Sequence, residues 1–117
     1  MDGTTFRTPD SPENRAHFGA QSYASGKVAS YPQVRAVSLT AIPPHLIGDM
    51  VFGAYGQNEM LYSKTLLERI PDQSLTVFDR GVLSAEILLG LNLAGQERHY
   101  LIPAKANTKW ERLSGTE

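Results

Sequence analysis

Leu75-Thr76-Val77-Phe78-Asp79-Arg80-Gly81 is the stretch on which the reading of this chain turns. Four residues of high strand propensity run without a charge and stop at a carboxylate. A glycine follows, and then a helical pattern begins. An apolar run of this length suits a strand buried on both faces of a sheet. The polar end of such a strand lies at the sheet's edge, where open α/β folds hold their ligands. The run therefore predicts an α/β fold with Asp79 at the ligand edge.

Working outward, Ser84 reads as a helix N-cap with Glu86 in the first turn, and Ile87, Leu88 and Leu91 form a buried stripe. Gly95 is placed as the C′ residue that ends this helix. His99-Tyr100-Leu101-Ile102 is a further strand, closing at Pro103. Strand, helix and strand within about thirty residues make a βαβ unit with parallel strands. On the other side, Asn58 caps a helix that runs from Glu59 to Ile70 with Tyr62, Leu66 and Ile70 on one face, and Pro71 stops it.

Val34 to Ile42 reads as a strand with Val37, Leu39 and Ala41 on one face, and Pro43-Pro44 interrupts it. His45 to Tyr55 reads as its antiparallel partner, although Gly48 and Gly53 weaken the pattern. Residues 4–32 hold no periodic segment, and 8–32 reads as a long irregular loop of the functional or disordered kind. The expected sheet is mixed, with an antiparallel pair, then parallel strands, and helices between them.

The chain has 117 residues, enough for one small domain, with 11 basic and 12 acidic residues and a net charge of -1. No global field points to nucleic acid or membrane. The absence of cysteine excludes disulfides and thiolate metal sites and fits a reducing cytosol. No apolar run approaches the ~20 residues of a membrane span, and no signal peptide is visible.

Asp79 and Lys105 follow the two parallel strands and so share one edge of the sheet, where a phosphate-bearing ligand would meet both. For an isolated aspartate the commoner role is to open a turn and cap the next segment, and for an isolated lysine it is solvation in a loop. Asp2 precedes a glycine, a pair that mostly marks hairpin turns. The chemical reason to join Asp2 to Asp79 is that phosphoryl transfer on a diester uses two divalent ions, and Mg²⁺ takes carboxylate ligands. His17, His45 and His99 have no ligand spacing. The segment from Arg98 to Arg112 carries Lys105 and Lys109 with Trp110 among them. It fits either a phosphate-gripping strip or a solvated basic tail.

Asp2-Gly3-Thr4-Thr5 followed by Arg7-Thr8-Pro9-Asp10-Ser11-Pro12-Glu13-Asn14-Arg15 resembles the first catalytic block of bacterial insertion-sequence transposases of the DDE class, in the insertion-sequence-four family. Pro32-Gln33-Val34-Arg35 and Asn58-Glu59 match further stretches of that pattern. Ser74 to Gly81 with Ser84-Ala85-Glu86 resembles the second block, and Arg98 to Lys105 the strand after it. The resemblance covers nearly the whole chain. It implies a ribonuclease H-like α/β fold, a mixed sheet with flanking helices, in which Asp2 on the first strand and Asp79 on the fourth lie side by side. It implies that these two aspartates, with a distant glutamate, bind two Mg²⁺ ions for cutting and joining DNA at element ends and target. Arg80, Lys105, Lys109 and Arg112 are the DNA-binding candidates.

The family's third acid belongs to a downstream Tyr-x-x-Arg-x-x-x-Glu helix that this sequence does not contain, and neither Glu111 nor Glu117 has that motif around it. The region that should precede Asp2 is also missing. The expectation is a partial transposase catalytic domain over 1–117, incomplete at both ends, bacterial and cytoplasmic, and inactive alone. The alternative is a non-catalytic remnant that associates with itself or inhibits a full-length transposase. Asp2-Gly3-Thr4-Thr5 also resembles the nucleophile loop of haloacid-dehalogenase-like phosphatases, with Lys105 on the phosphate. That motif wants a further Asp two residues earlier, so it ranks behind.

Overall fold

The computed structural model describes residues 1–28, 31–43 and 45–112. In chain order they form β1 (Asp2–Arg7), α1 (Pro12–Phe18), β2 (Gln33–Ala41), β3 (Leu46–Ala54), α2 (Glu59–Leu67), β4 (Ser74–Val77), α3 (Ala85–Leu93) and β5 (Arg98–Leu101). A 3-10 turn at Arg80–Val82 links β4 to α3. The class is mixed α/β. One sheet is antiparallel in the order β1-β2-β3, and the other is the parallel pair β4-β5.

The βαβ unit forms as the apolar pattern predicts. Ser84 caps α3 by accepting the Ile87 N–H at 3.2 Å, and Ile87 and Leu91 are fully buried beneath it. Gly95 does follow the helix, but not in the left-handed conformation of a C′ glycine. Its missing side chain instead makes room for the Arg98 guanidinium and the Asp72 carboxylate. Arg98 Nε meets Asp72 Oδ1 at 2.9 Å and its Nη1 donates to Leu67 O at 3.1 Å, which ties β5 to the end of α2. Arg98 is thereby committed to the fold, and its place in a phosphate-gripping strip is withdrawn.

α2 holds the two sheets together because it is apolar on two sides. Tyr62 and Leu66 pack with Val37 on the antiparallel sheet. Leu67 joins Ile70, Phe78, Val82, Ile87 and Leu91 in the second cluster. The helix ends at Leu67, short of the expected Ile70, which follows in a turn whose N–H donates to Leu67 O. Gly53 does not break β3, since the Tyr62 ring sits directly over it and the Tyr62 hydroxyl donates to Ala54 O at 3.1 Å.

Three expectations need correction. Residues 2–7, expected to lack regular structure beyond the first few, form β1, paired with β2 from Asp2↔Ser38 to Arg7↔Gln33. Its side chains are nearly all exposed, so the backbone ladder is its main hold and no hydrophobic period marks it. The stretch 8–32 is not wholly irregular, because it contains α1 and an isolated bridge between Ser22 and Val28. α1 buries no residue, but Ser11 accepts the Asn14 N–H and Pro12 starts the helix. Finally, β4 is buried on one face only. Thr76 and Phe78 point into the core while Leu75 and Val77 remain 62% and 47% exposed.

Exposed apolar edges match the open shape of the chain. Its radius of gyration is 17.1 Å, against about 13 Å for a packed domain of this length. Among the described residues no helix is long and apolar enough to cross a membrane.

Candidate carboxylate site between the two sheets

A cleft of about 1070 Å³ lies between the antiparallel sheet and β4. Asp2 and Asp79 both line it, together with Asp49, Arg69 and the apolar residues Leu39, Ile42, Leu75 and Val77. Asp2 reaches the cleft from the first residue of β1, and Asp79 from the position just after β4.

One backbone contact sets their relation. The Met1 nitrogen donates to Val77 O at 2.8 Å. In parallel pairing a residue donates to the carbonyl preceding its neighbour, so, taken as a parallel rung, this bond would set Met1 beside Phe78 and Asp2 beside Asp79. Burial agrees with that alignment, since Met1 packs against the cluster that contains Phe78. Gly3 likewise faces α2, where Glu59 lies over it. Side chains alternate along a strand, so Asp2 projects to the opposite face. On β4 the buried residues are Thr76 and Phe78, which leaves Asp79 on the same outer face as Asp2.

Each carboxylate has one short-range backbone partner. Asp2 Oδ1 accepts the Gly3 N–H at 2.9 Å, and Asp79 Oδ2 accepts the Gly81 N–H at 3.0 Å. The second bond makes Asp79 the N-cap of the 3-10 turn, so the commoner capping role holds whatever else Asp79 does. Each aspartate keeps its other oxygen without a protein partner among the described residues. Asp49 is occupied, accepting from Arg69 Nη1 at 3.0 Å across the cleft.

The other predicted residues do not join this pair. Arg80 is exposed at the start of the 3-10 turn. Lys105 lies outside the cleft lining, and its Nζ donates to Leu83 O at 3.4 Å. Lys109 and Arg112 are exposed on the segment beyond β5. Glu111 is exposed there too, and Glu117 lies outside the described residues. Among the described residues no group of three or more His, Asp or Glu is placed to hold a metal ion. Asp2-Gly3-Thr4 lies in a strand rather than a loop, and Lys105 does not line the cleft with Asp2, which speaks against the phosphatase arrangement.

Residue-by-residue reading missed the Met1–Val77 bond and the Asp49–Arg69 pair. Neither carries a local signal, because each joins positions brought together only by the fold.

Residues 1–116 match the family described as "Transposase DDE domain". The chain is 37% identical over 113 residues to InsZ of Escherichia coli strain K12, and 37% identical over 113 residues to the transposase InsG for insertion sequence element IS4 of the same organism. Each alignment covers 97% of this chain but only 38% and 25% of those two relatives. No solved structure matches.

Proposed function

The chain belongs to the transposase DDE domain family, and from that membership we propose that it supplies two carboxylates, Asp2 and Asp79, to a divalent-metal centre acting on DNA phosphodiesters. The observation that supports this reading is the Met1–Val77 bond, which brings the start of β1 to the end of β4 beside a cleft that Asp2 and Asp79 both line. Extended by further pairing, that bond would join the two sheets in the order β3-β2-β1-β4-β5. Both aspartates would then stand on neighbouring strands, in the ribonuclease H-like order that we propose.

The donor set fits a hard cation. Two exposed carboxylates, each with an unpartnered oxygen, offer the ligands that Mg²⁺ or Mn²⁺ takes alongside several waters. Asp2 and Asp79 would hold the ion between them, and the Gly3 and Gly81 N–H groups would fix their orientation. Such an ion, when bound, polarises a phosphoryl oxygen and sharpens an attacking hydroxyl. Arg80, Lys105 and Lys109, with Arg112, are the cations we assign to the DNA backbone, contacts that salt would weaken.

We further propose that this 117-residue chain does not cut DNA by itself. Titration with Mn²⁺, followed by loss of the free-ion paramagnetic signal, is the test. Asp2→Asn and Asp79→Asn should each weaken binding by about tenfold, the effect of about 1.4 kcal/mol. Unchanged affinity in both variants would sink the carboxylate pair. Metal-dependent nicking of element-end DNA by the purified chain would refute its inactivity.

A second reading requires no chemistry. Leu75 and Val77 stand exposed on a strand edge, the kind of surface through which a chain joins another polypeptide. On that reading the protein associates with a full-length transposase and lowers its activity.

A further inference from the structure

We infer that Arg7 and Arg35 form a phosphate-binding pair for the DNA backbone, an anchoring contact separate from the two aspartates. The inference rests on the reading of this chain as one that acts on DNA. Arg15, Arg69 and Arg98 each meet an aspartate. Arg7 and Arg35 lie over aromatic rings instead. The guanidinium carbon of Arg7 is 4.3 Å from the centre of the Tyr31 ring, and that of Arg35 is 4.7 Å from the centre of Tyr55. Neither has a carboxylate partner among the described residues.

Strand register makes the two arginines neighbours. Arg7 stands opposite Gln33 and Arg35 opposite Thr5, so they are diagonal to each other across the β1–β2 ladder. Side chains alternate along a strand, which sends both to the face where Gly53 lies opposite Arg35 and Tyr62 covers it. They occupy the part of that face beside the start of α2, where Arg35 Nη1 donates to Gln57 O at 3.0 Å. Glu59 lies over Gly3, the next position on this face after Thr5, and forms no ion pair with either arginine.

Two cations set side by side without an acid repel one another, and a bound anion between them would relieve that cost. The geometry suits a phosphate. A flat guanidinium stacked on a ring keeps its edge N–H groups free, and that edge matches two phosphate oxygens. Asp2 and Arg7 stand at opposite ends of β1, about 17 Å apart along it, and on opposite faces. The pair therefore holds backbone away from the carboxylates and acts on affinity, leaving their chemistry alone.

The probe is a fluorescein-labelled DNA duplex of mixed sequence, titrated with the 117-residue chain and followed by anisotropy at several salt concentrations. A chelator keeps the carboxylate site free of metal. Arg7→Gln and Arg35→Gln should each weaken binding about tenfold and lower the slope of log affinity against log salt by about one. Arg7 makes no hydrogen bond to the fold among the described residues, so its variant should keep the circular dichroism spectrum even if loss of the Gln57 bond unsettles the other. Lys64→Gln removes one charge from a lysine paired with Glu86 and should leave binding unchanged. DNA binding that Arg7→Gln leaves intact overturns the proposal, as does an equal loss in Lys64→Gln, which would reduce the effect to net charge. Absence of salt-dependent binding by the unaltered chain overturns it too. The Mn²⁺ titration of Asp2 and Asp79 is read separately, so the carboxylate reading stands or falls on its own result.

Discussion

Ile87→Ala should destabilise the protein by about 2–5 kcal/mol, read as a lowered urea midpoint at unchanged slope. Ile87 is fully buried at the centre of the cluster that joins α2, α3, β4 and the 3-10 turn. Its neighbours come from four separate segments, so they cannot all relax into the space left behind, and the cavity term adds to the lost transfer energy. For a domain whose whole stability is about 5–15 kcal/mol, a loss of that size removes much of the folded population. A change below about 1 kcal/mol would mean that α3 does not dock on α2 and β4 as described.

The second large effect is expected at Gly53. A Cβ there would stand 2.5 Å from the Tyr62 hydroxyl and 3.2 Å from the ring carbon that carries it. Tyr62 is buried against Val37 and Leu66 and cannot swing aside without leaving that cluster. Gly53→Ala should therefore cost about 1–3 kcal/mol, the range for overpacking in a core. Tyr62→Phe removes the nearest atom while also removing the bond to Ala54 O. The two changes together should be less damaging than the sum of each alone, a coupling that a double-mutant cycle measures directly. Strict additivity would show that Tyr62 does not lie over Gly53.

What could be read from the residues follows where burial was strong. The βαβ unit, the helix after Asn58 and the β2–β3 pair carry apolar periods, and each forms close to its expected bounds. β1 and α1 carry none, because one is held by its backbone ladder and the other buries nothing. Ser11-Pro12-Glu13 holds the signals of a helix start, but no apolar period follows them to mark the helix. The two-face burial expected of β4 failed for a different reason. Its apolar sequence suits a strand with neighbours on both edges and cover on both faces, while in this chain Leu75 and Val77 have neither outer cover nor a full second neighbour.

The candidate site divides along the same line. Asp79 at the end of a strand was legible locally, since an apolar run that stops at an acid needs no distant information. Its proposed pairing with Asp2 rests on family resemblance, because no pattern within one segment can specify which distant strand lies beside it. Lys105 shows the opposite error: adjacency of strand ends suggested a shared edge, yet the chain beyond β5 carries its side chain to Leu83 instead of the cleft.

The bond from Met1 to Val77 also imposes a rule of parity on this end of the molecule. A strand residue's face depends on whether it stands an odd or even number of places from a fixed rung. Losing Gly3 while β1 kept its hold on β2 would carry Asp2 into the place over which Glu59 lies, with two carboxylates forced together on the helix side. Losing or gaining two residues would restore the outward face. Changes of length in β1 are thus quantised in their effect: even ones keep Asp2 on the outer face but two rungs along the strand, and odd ones turn it toward α2.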